Sequence, residues 1–215
     1  EYIKGVGGSV PLTDVFQGAY SLEQLAQTLL ALPDAELPKV LSISYGNDEA
    51  QAPNTPTFMR ACDAAFMKLG LRGVSVLVAS GDQGVWGREG SFGAKKFHPD
   101  YPASSPYVTS VGGTDFATKN VVGDEKAWSD GGGGFSDTFA QPPYQKKAVA
   151  TYLASSTAMP DPSLFNASGR AYPDVAALGG EQNPYCVSVV KLMTGVAGTS
   201  ASTPVFGGVV AKLNE

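Results

Sequence analysis

The chain has 215 residues, of which 43% are hydrophobic and 16% charged, with a net charge of -5. That is apolar enough for one domain with a real core and too sparsely charged for a disordered chain. The acidic balance argues against nucleic acid as a partner, and no apolar run approaches the roughly 20 residues of a membrane span.

In chain order, residues 10–16 predict a short strand. Residues 21–32 predict a helix, with Ser21 as cap, Leu22, Leu25, Leu29 and Leu32 at helical spacing, and Pro33 as the stop. The apolar, β-branched stretch 39–45 reads as a buried strand ending at Gly46. A second helix follows over 55–69, with Phe58, Cys62, Phe66 and Leu69 on one face and Gly70 as the stop. The run 73–79 is the clearest strand of the chain. Strand, helix, strand in this order implies a parallel sheet with crossover helices. Another strand is expected at 107–111, a hairpin within 115–134, a helix at 144–153 and a surface loop over 154–166. Short β pieces are expected at 174–177 and 186–192. A last helix is expected over 203–214, with Pro204 in its first turn and Val205, Phe206, Val209, Val210 and Leu213 as its apolar face. The two cysteines, Cys62 and Cys186, are compatible with a buried free thiol or with a disulfide, and their spacing makes no zinc site.

Three stretches carry candidate chemistry. Ser44, Tyr45 and Gly46 follow one predicted parallel strand, and Gly81 and Asp82 follow another. Ligands of open α/β sheets bind at such strand ends. Ser200 lies in the segment 198–204, GTSASTP, at the entrance to the last helix. A hydroxyl there can attack a carbonyl while free backbone N–H groups hold the oxyanion, but Thr199, Ser200, Ser202 and Thr203 are also ordinary capping residues. Asp82 reads equally well as a turn residue. His98 is the only histidine and sits in a loop-like run without the surroundings of a catalytic histidine. A serine hydrolase built on this chain needs another base, and a carboxylate is the obvious candidate. The glycine run 131–134 lacks the lysine of a phosphate loop and reads as backbone making room. Asn166, with Ser168, forms an N-glycosylation acceptor.

The segments 198–208 (GTSASTPVFGG), 80–84 (SGDQG), 97–114 (FHPDYPASSPYVTSVGGT) and 166–178 (NASGRAYPDVAAL) resemble, in order, the sedolisins or serine-carboxyl peptidases, and especially their tripeptidyl-peptidase branch. The resemblance implies a subtilisin-like α/β fold, a mostly parallel sheet flanked by helices on both faces. It implies Ser200 as nucleophile, and Asp82, protonated, as hydrogen-bond donor to the oxyanion. A free aspartate has a pKa near 3.9, so such an enzyme works in acid, on peptides or unfolded protein, in a lysosome or another acidic compartment. Release of N-terminal tripeptides is implied, with endopeptidase action or mere peptide binding as alternatives. Ser44, Tyr45, Gly46 and Gly81 would flank the substrate cleft. The family's base, a glutamate held by an aspartate four residues later, would lie just before Glu1, and its Ca2+ ligands beyond Glu215. Residues 1–215 are therefore expected to be a partial catalytic domain cut at both ends, with no metal ligands of its own.

Overall fold

The computed structural model describes all residues except 16–20, 120 and 156–157. Its helices are α1 (Tyr2–Gly7), α2 (Leu22–Leu30), α3 (Pro56–Leu71), α4 (Lys146–Leu153) and α5 (Thr199–Leu213). The strands are β1 (Val40–Ile43), β2 (Asn47–Asp48), β3 (Ser75–Ala79), β4 (Asp100–Tyr101), β5 (Thr109–Phe116), β6 (Glu125–Ala127), β7 (Gly134–Ala140), β8 (Gly169–Tyr172), β9 (Val175–Leu178), β10 (Tyr185–Val189) and β11 (Leu192–Val196).

The main sheet runs β1-β3-β5, all parallel, with β9 parallel and β6 antiparallel on β5. The pleat of β3 shows why helices cover both faces. Val76 and Val78 point into a cluster with Leu22, Ala26 and Leu29 of α2 and Met59, Cys62 and Phe66 of α3. Leu77, between them, points the other way and meets Gly207 of α5. Successive side chains of a strand face opposite sides, so one apolar run feeds both layers. Ser21 and Thr55 cap α2 and α3 through their hydroxyls, as their residue types favour. Cys62 is buried in α3, Cys186 is exposed, and both are free thiols.

Several elements differ from expectation. Residues 10–15 form no strand, and Phe16 lies outside the described residues. Gly70 does not stop α3, which runs on to Leu71. Residues 185–196 form a complete antiparallel hairpin, whose turn at Val190 and Lys191 has positive φ (49° and 65°) without a glycine. The last helix begins at Thr199, four residues earlier than expected, so Pro204 lies inside it. Its most buried positions are also not the expected ones. Thr199, Ser202, Thr203, Gly207 and Gly208 are buried, while Val209 and Leu213 are exposed. The Ser202 hydroxyl donates to the Gly112 carbonyl and that of Thr203 to Thr199. Small, satisfied side chains let this helix lie almost backbone-to-backbone on the sheet and on α1.

That contact makes a stability prediction of unexpected sign. Helix propensity alone says Gly→Ala should gain about 1 kcal/mol in a helix interior. A Cβ at Gly208, however, would lie 2.8 Å from the Val6 Cβ and 2.9 Å from the Ile3 carbonyl oxygen. Backbone cannot swing aside as a side chain does, so Gly208→Ala is expected to destabilise by about 1–3 kcal/mol. A urea midpoint equal to or above that of the wild type would refute the contact.

A second prediction concerns pH. Burial raises the carboxyls of three residues that surround β4. Asp63, bonded to the Tyr101 hydroxyl at 2.9 Å, is raised to about 6. Asp100, paired directly with Asp48 across β2 and β4, is raised well above its ordinary value. Glu49, which accepts from Ser104, Ser136, Asp137 and Thr138, is raised as well. Below about pH 4 both states hold these protons. As pH rises, the unfolded chain releases them first while the folded chain keeps them, so stability falls with pH. The loss begins near pH 4, passes through the value of about 6 for Asp63 and continues as Asp100 ionises. Asp63 alone contributes on the order of 2 kcal/mol. The urea midpoint should be higher at pH 4.5 than at pH 7, and Asp63→Asn should flatten the difference. A midpoint that rises towards pH 7 would overturn this.

Candidate active site

The C-terminal ends of β1 and β3 and the N-terminus of α5 converge at one edge of the sheet. After β3, Ser80 donates its hydroxyl to the Gly132 carbonyl at 2.8 Å, and Gly132 N–H donates to Gly81 O at 2.7 Å. A Cβ at Gly132 would fall 2.2 Å from Ser80 O, so the glycine run there makes room for this turn. Gly81 has φ +106°, which aims the next residue at α5.

That next residue is Asp82. Its Oδ1 accepts from the Thr199 backbone N–H and faces the Thr199 hydroxyl, both at 2.7 Å. The same hydroxyl accepts from Gly81 N–H at 3.1 Å. A carboxyl at a helix N-terminus satisfies a donor that the helix itself cannot. The other oxygen, Oδ2, would lie only 3.0 Å from a Cβ at residue 198, which glycine lacks, and Gly198 has φ +130°. One oxygen of Asp82 is therefore anchored, and the other carries no anchor on Thr199.

Ser200 follows Thr199, in the first turn of α5, and its side chain is exposed. Its hydroxyl donates to the Ser44 carbonyl at 3.1 Å, and the Ser44 hydroxyl donates to the Ser200 carbonyl at 3.0 Å. Pro204 explains the second bond. In a regular helix the N–H of residue 204 would take the carbonyl of residue 200; proline has none. The freed acceptor goes to Ser44, and the reciprocal pair ties the end of β1 to the serine. Sequence reading treated Pro204 as a first-turn residue and missed this link.

The remaining candidates are distributed as follows. Ser44, Tyr45 and Gly46 continue β1, the edge strand of the sheet. Tyr45 is exposed, with the Arg88 guanidinium 5.1 Å above its ring. Gly46 is packed so that a Cβ would meet Asp100 Oδ1 at 2.2 Å. His98, expected at the surface, is instead largely buried; its ring lies 4.0 Å from Asp48 and 3.9 Å from Glu89, and its backbone N–H bonds to Val85. Asn166 is half-buried, donates to Ser136 O at 2.9 Å and accepts from the Ser168 hydroxyl at 2.7 Å. Among the described residues, no group of three or more His, Cys, Asp or Glu side chains could hold a metal ion. No described helix is long and apolar enough to cross a membrane.

Comparison with known proteins identifies the family. The family model described as Subtilase family matches residues 5–215. The chain belongs to the subtilase family. It is 44% identical over 219 residues to mouse tripeptidyl-peptidase 1, covering 100% of this chain and 38% of the mouse protein. It is also 44% identical over 194 residues to human tripeptidyl-peptidase 1, covering 90% of this chain and 34% of that one. Among solved structures it matches Pseudomonas sedolisin, a serine-carboxyl proteinase, with TM-score 0.69 and 26% identity, over 92% of this chain and 53% of that one. The chain thus spans well under half the length of the curated relatives it matches. The subtilisin-like fold, its sedolisin kinship and a serine-type peptidase ancestry are established together.

Proposed function

We propose that this chain carries the nucleophile and the oxyanion donor of an acid serine peptidase that releases tripeptides from free N-termini. The observation that carries the proposal is the clamp of Asp82 on Thr199, which sets a carboxyl beside Ser200. Ser200 Oγ attacks the scissile carbonyl, and its proton passes to a base. The carbonyl oxygen becomes an oxyanion held by Asp82 Oδ2–H and the Ser200 N–H, which lies in the first turn and has no helical acceptor of its own. Asp82 must be protonated for this role, since a carboxylate would repel the oxyanion. The amine then leaves with a proton from the base, and water completes the hydrolysis of the acyl-enzyme.

The resemblance places the base, a glutamate with its aspartate, on the helical turn leading into Glu1. The position of α1 supports that placement. Glu1 and Tyr2 lie by Ser200 and Ala201, and Gly7 lies by Gly208, so α1 and α5 run side by side in the same direction. A helix prolonged backwards from Tyr2 would pass the start of α5, where Ser200 stands. The Ser44–Gly46 segment suits an extended peptide, because it prolongs an edge strand of the sheet beside Ser200. Calcium, which the resemblance implies, would be held by residues outside this chain. The acid requirement, the acid-favoured fold and the names of the relatives fit residence in a lysosome or another acidic compartment, where Asn166 would carry a glycan.

The decisive assay offers the full-length protein, at about pH 4, one peptide with a free N-terminus and the same peptide N-acetylated. Tripeptide release from the free form alone is expected. Equal internal cleavage of both would make the protein an endopeptidase, and cleavage of neither would leave a peptide-binding relative.

A further inference from the structure

Beside Ser200 lies a cavity of about 200 Å³ whose lining includes none of Ser44, Tyr45, Gly46, Gly81 and Asp82. Tyr2 and Ile3 of α1 form one wall, Tyr185, Val187 and Val196 of the β10–β11 hairpin the other, and Pro204 closes it along α5. Ser200 is itself a lining residue. The walls are braced. The Tyr2 hydroxyl bonds to both the backbone N–H and the carbonyl of Cys186, at 3.1 Å each. The Tyr2 and Tyr185 rings meet edge-on at 4.6 Å, and the Tyr185 hydroxyl donates to Leu178 O at 2.6 Å. The polar ends of both tyrosines are thus turned to the backbone, leaving ring surface for the cavity. Glu1, at the margin, is engaged by the Ser188 N–H at 3.2 Å. A mostly apolar concavity with a reactive group on its rim suits a substrate side chain.

We propose that this cavity is the pocket for the side chain of the residue immediately after the scissile bond, and that it selects an aliphatic one. The inference rests on Ser200 being the nucleophile. The acyl portion of the substrate must stay bound through the acyl-enzyme, and backbone pairing along Ser44–Gly46 is the contact able to hold it. The leaving portion then lies outside that segment, and the cavity beside Ser200, lined by none of its residues, is the concavity left to receive it. An apolar pocket without backbone pairing grips that residue for attack and lets the amine product go. Apart from the Glu1 carboxylate the lining is uncharged, so an acidic residue there would lose hydration and meet a like charge.

The test uses the full-length protein and peptides that differ only in the residue after the scissile bond: glycine, alanine, leucine or aspartate. A hydrophobic pocket discriminates by about 10–200-fold per group it accommodates, so kcat/KM for leucine should exceed that for glycine by at least tenfold, with aspartate lowest. Val196→Trp fills the cavity and should erase most of the leucine advantage, read as the ratio of kcat/KM for the leucine and glycine peptides. Val196→Ala enlarges it and should shift the preference towards larger side chains, a readout that survives if the Trp variant fails to fold. A flat profile at this position, or a leucine preference untouched by either substitution, overturns the pocket while leaving the peptidase reading intact. Absence of any Ser200-dependent cleavage overturns both.

Discussion

Ser200→Ala in the full-length protein is expected to lower peptide turnover by about 10³–10⁶-fold with the fold unchanged. The size follows from what the hydroxyl does rather than from what it touches. Loss of the nucleophile of a serine hydrolase removes the covalent route and leaves only binding and oxyanion stabilisation. The structural cost is small, because the side chain is exposed and its one recorded hydrogen bond is to Ser44 O. The Ser44 hydroxyl keeps its acceptor, the Ser200 backbone carbonyl, in the variant. A urea midpoint within about 0.5 kcal/mol of wild type is expected, as for an exposed substitution. Capping does not compete as an account of Ser200: the cap position of α5 is Gly198, and the first-turn N–H of Thr199 is taken by Asp82. A folded variant that cleaves at the wild-type rate would remove Ser200 from the chemistry altogether.

The parts of this site that were legible from sequence are those where local pattern and tertiary outcome coincide. β3 is an apolar run that must be buried on both faces, and it is the strand that delivers Gly81 and Asp82. α2 and α3 announce themselves by capping hydroxyls and helical spacing. The site's architecture was less legible where packing overrode pattern. Three glycines at positions 5, 7 and 8 disguise α1, yet they lie next to a helix that needs their closeness; Gly7 and Gly208 approach to 3.9 Å when a Cβ is placed on Gly7. In α5 the apolar positions did not mark the most buried residues, because hydroxyls count as polar in a hydrophobic pattern although Ser202 and Thr203 are satisfied within the fold. The hairpin that lines the proposed pocket turns on Val190 and Lys191, residue types that carry no signal for positive φ. The bond from Ser44 to the Ser200 carbonyl that Pro204 leaves free spans 156 positions, and no local rule could have drawn it. The roles proposed for Ser200 and Asp82 rest chiefly on the family motifs, since serine near a helix start and aspartate after a strand each have a commoner structural use.

Asp82 separates charge from geometry, and two substitutions there are expected to behave differently. Asp82→Ala removes the donor and should cost about 10²–10³-fold in kcat at pH 4, the scale of losing one oxyanion contact. It also strips the Thr199 N–H of its acceptor, so some loss of stability should accompany it. Asp82→Asn keeps that acceptor: the amide oxygen can take the place of Oδ1 on Thr199, and the amide nitrogen the place of Oδ2. An amide donates at every pH, whereas the carboxyl donates only while protonated. In the wild type the proposed donor acts only while it carries its proton, so activity is expected to decline from acid towards neutral pH. In the Asn variant that alkaline fall should vanish or move upward, while the acid side of the profile, governed by protonation of the base, should stay where it is. Profiles of kcat from pH 3 to 8 for the three proteins make the comparison. If Asp82→Asn kept the wild-type alkaline limb, the falling activity would belong to another group and Asp82 would be an anchor for α5 only. If Asp82→Ala retained full kcat at pH 4 with its fold intact, the oxyanion would be held without Asp82, and the Ser200 backbone N–H would have to do so with a donor other than this carboxyl.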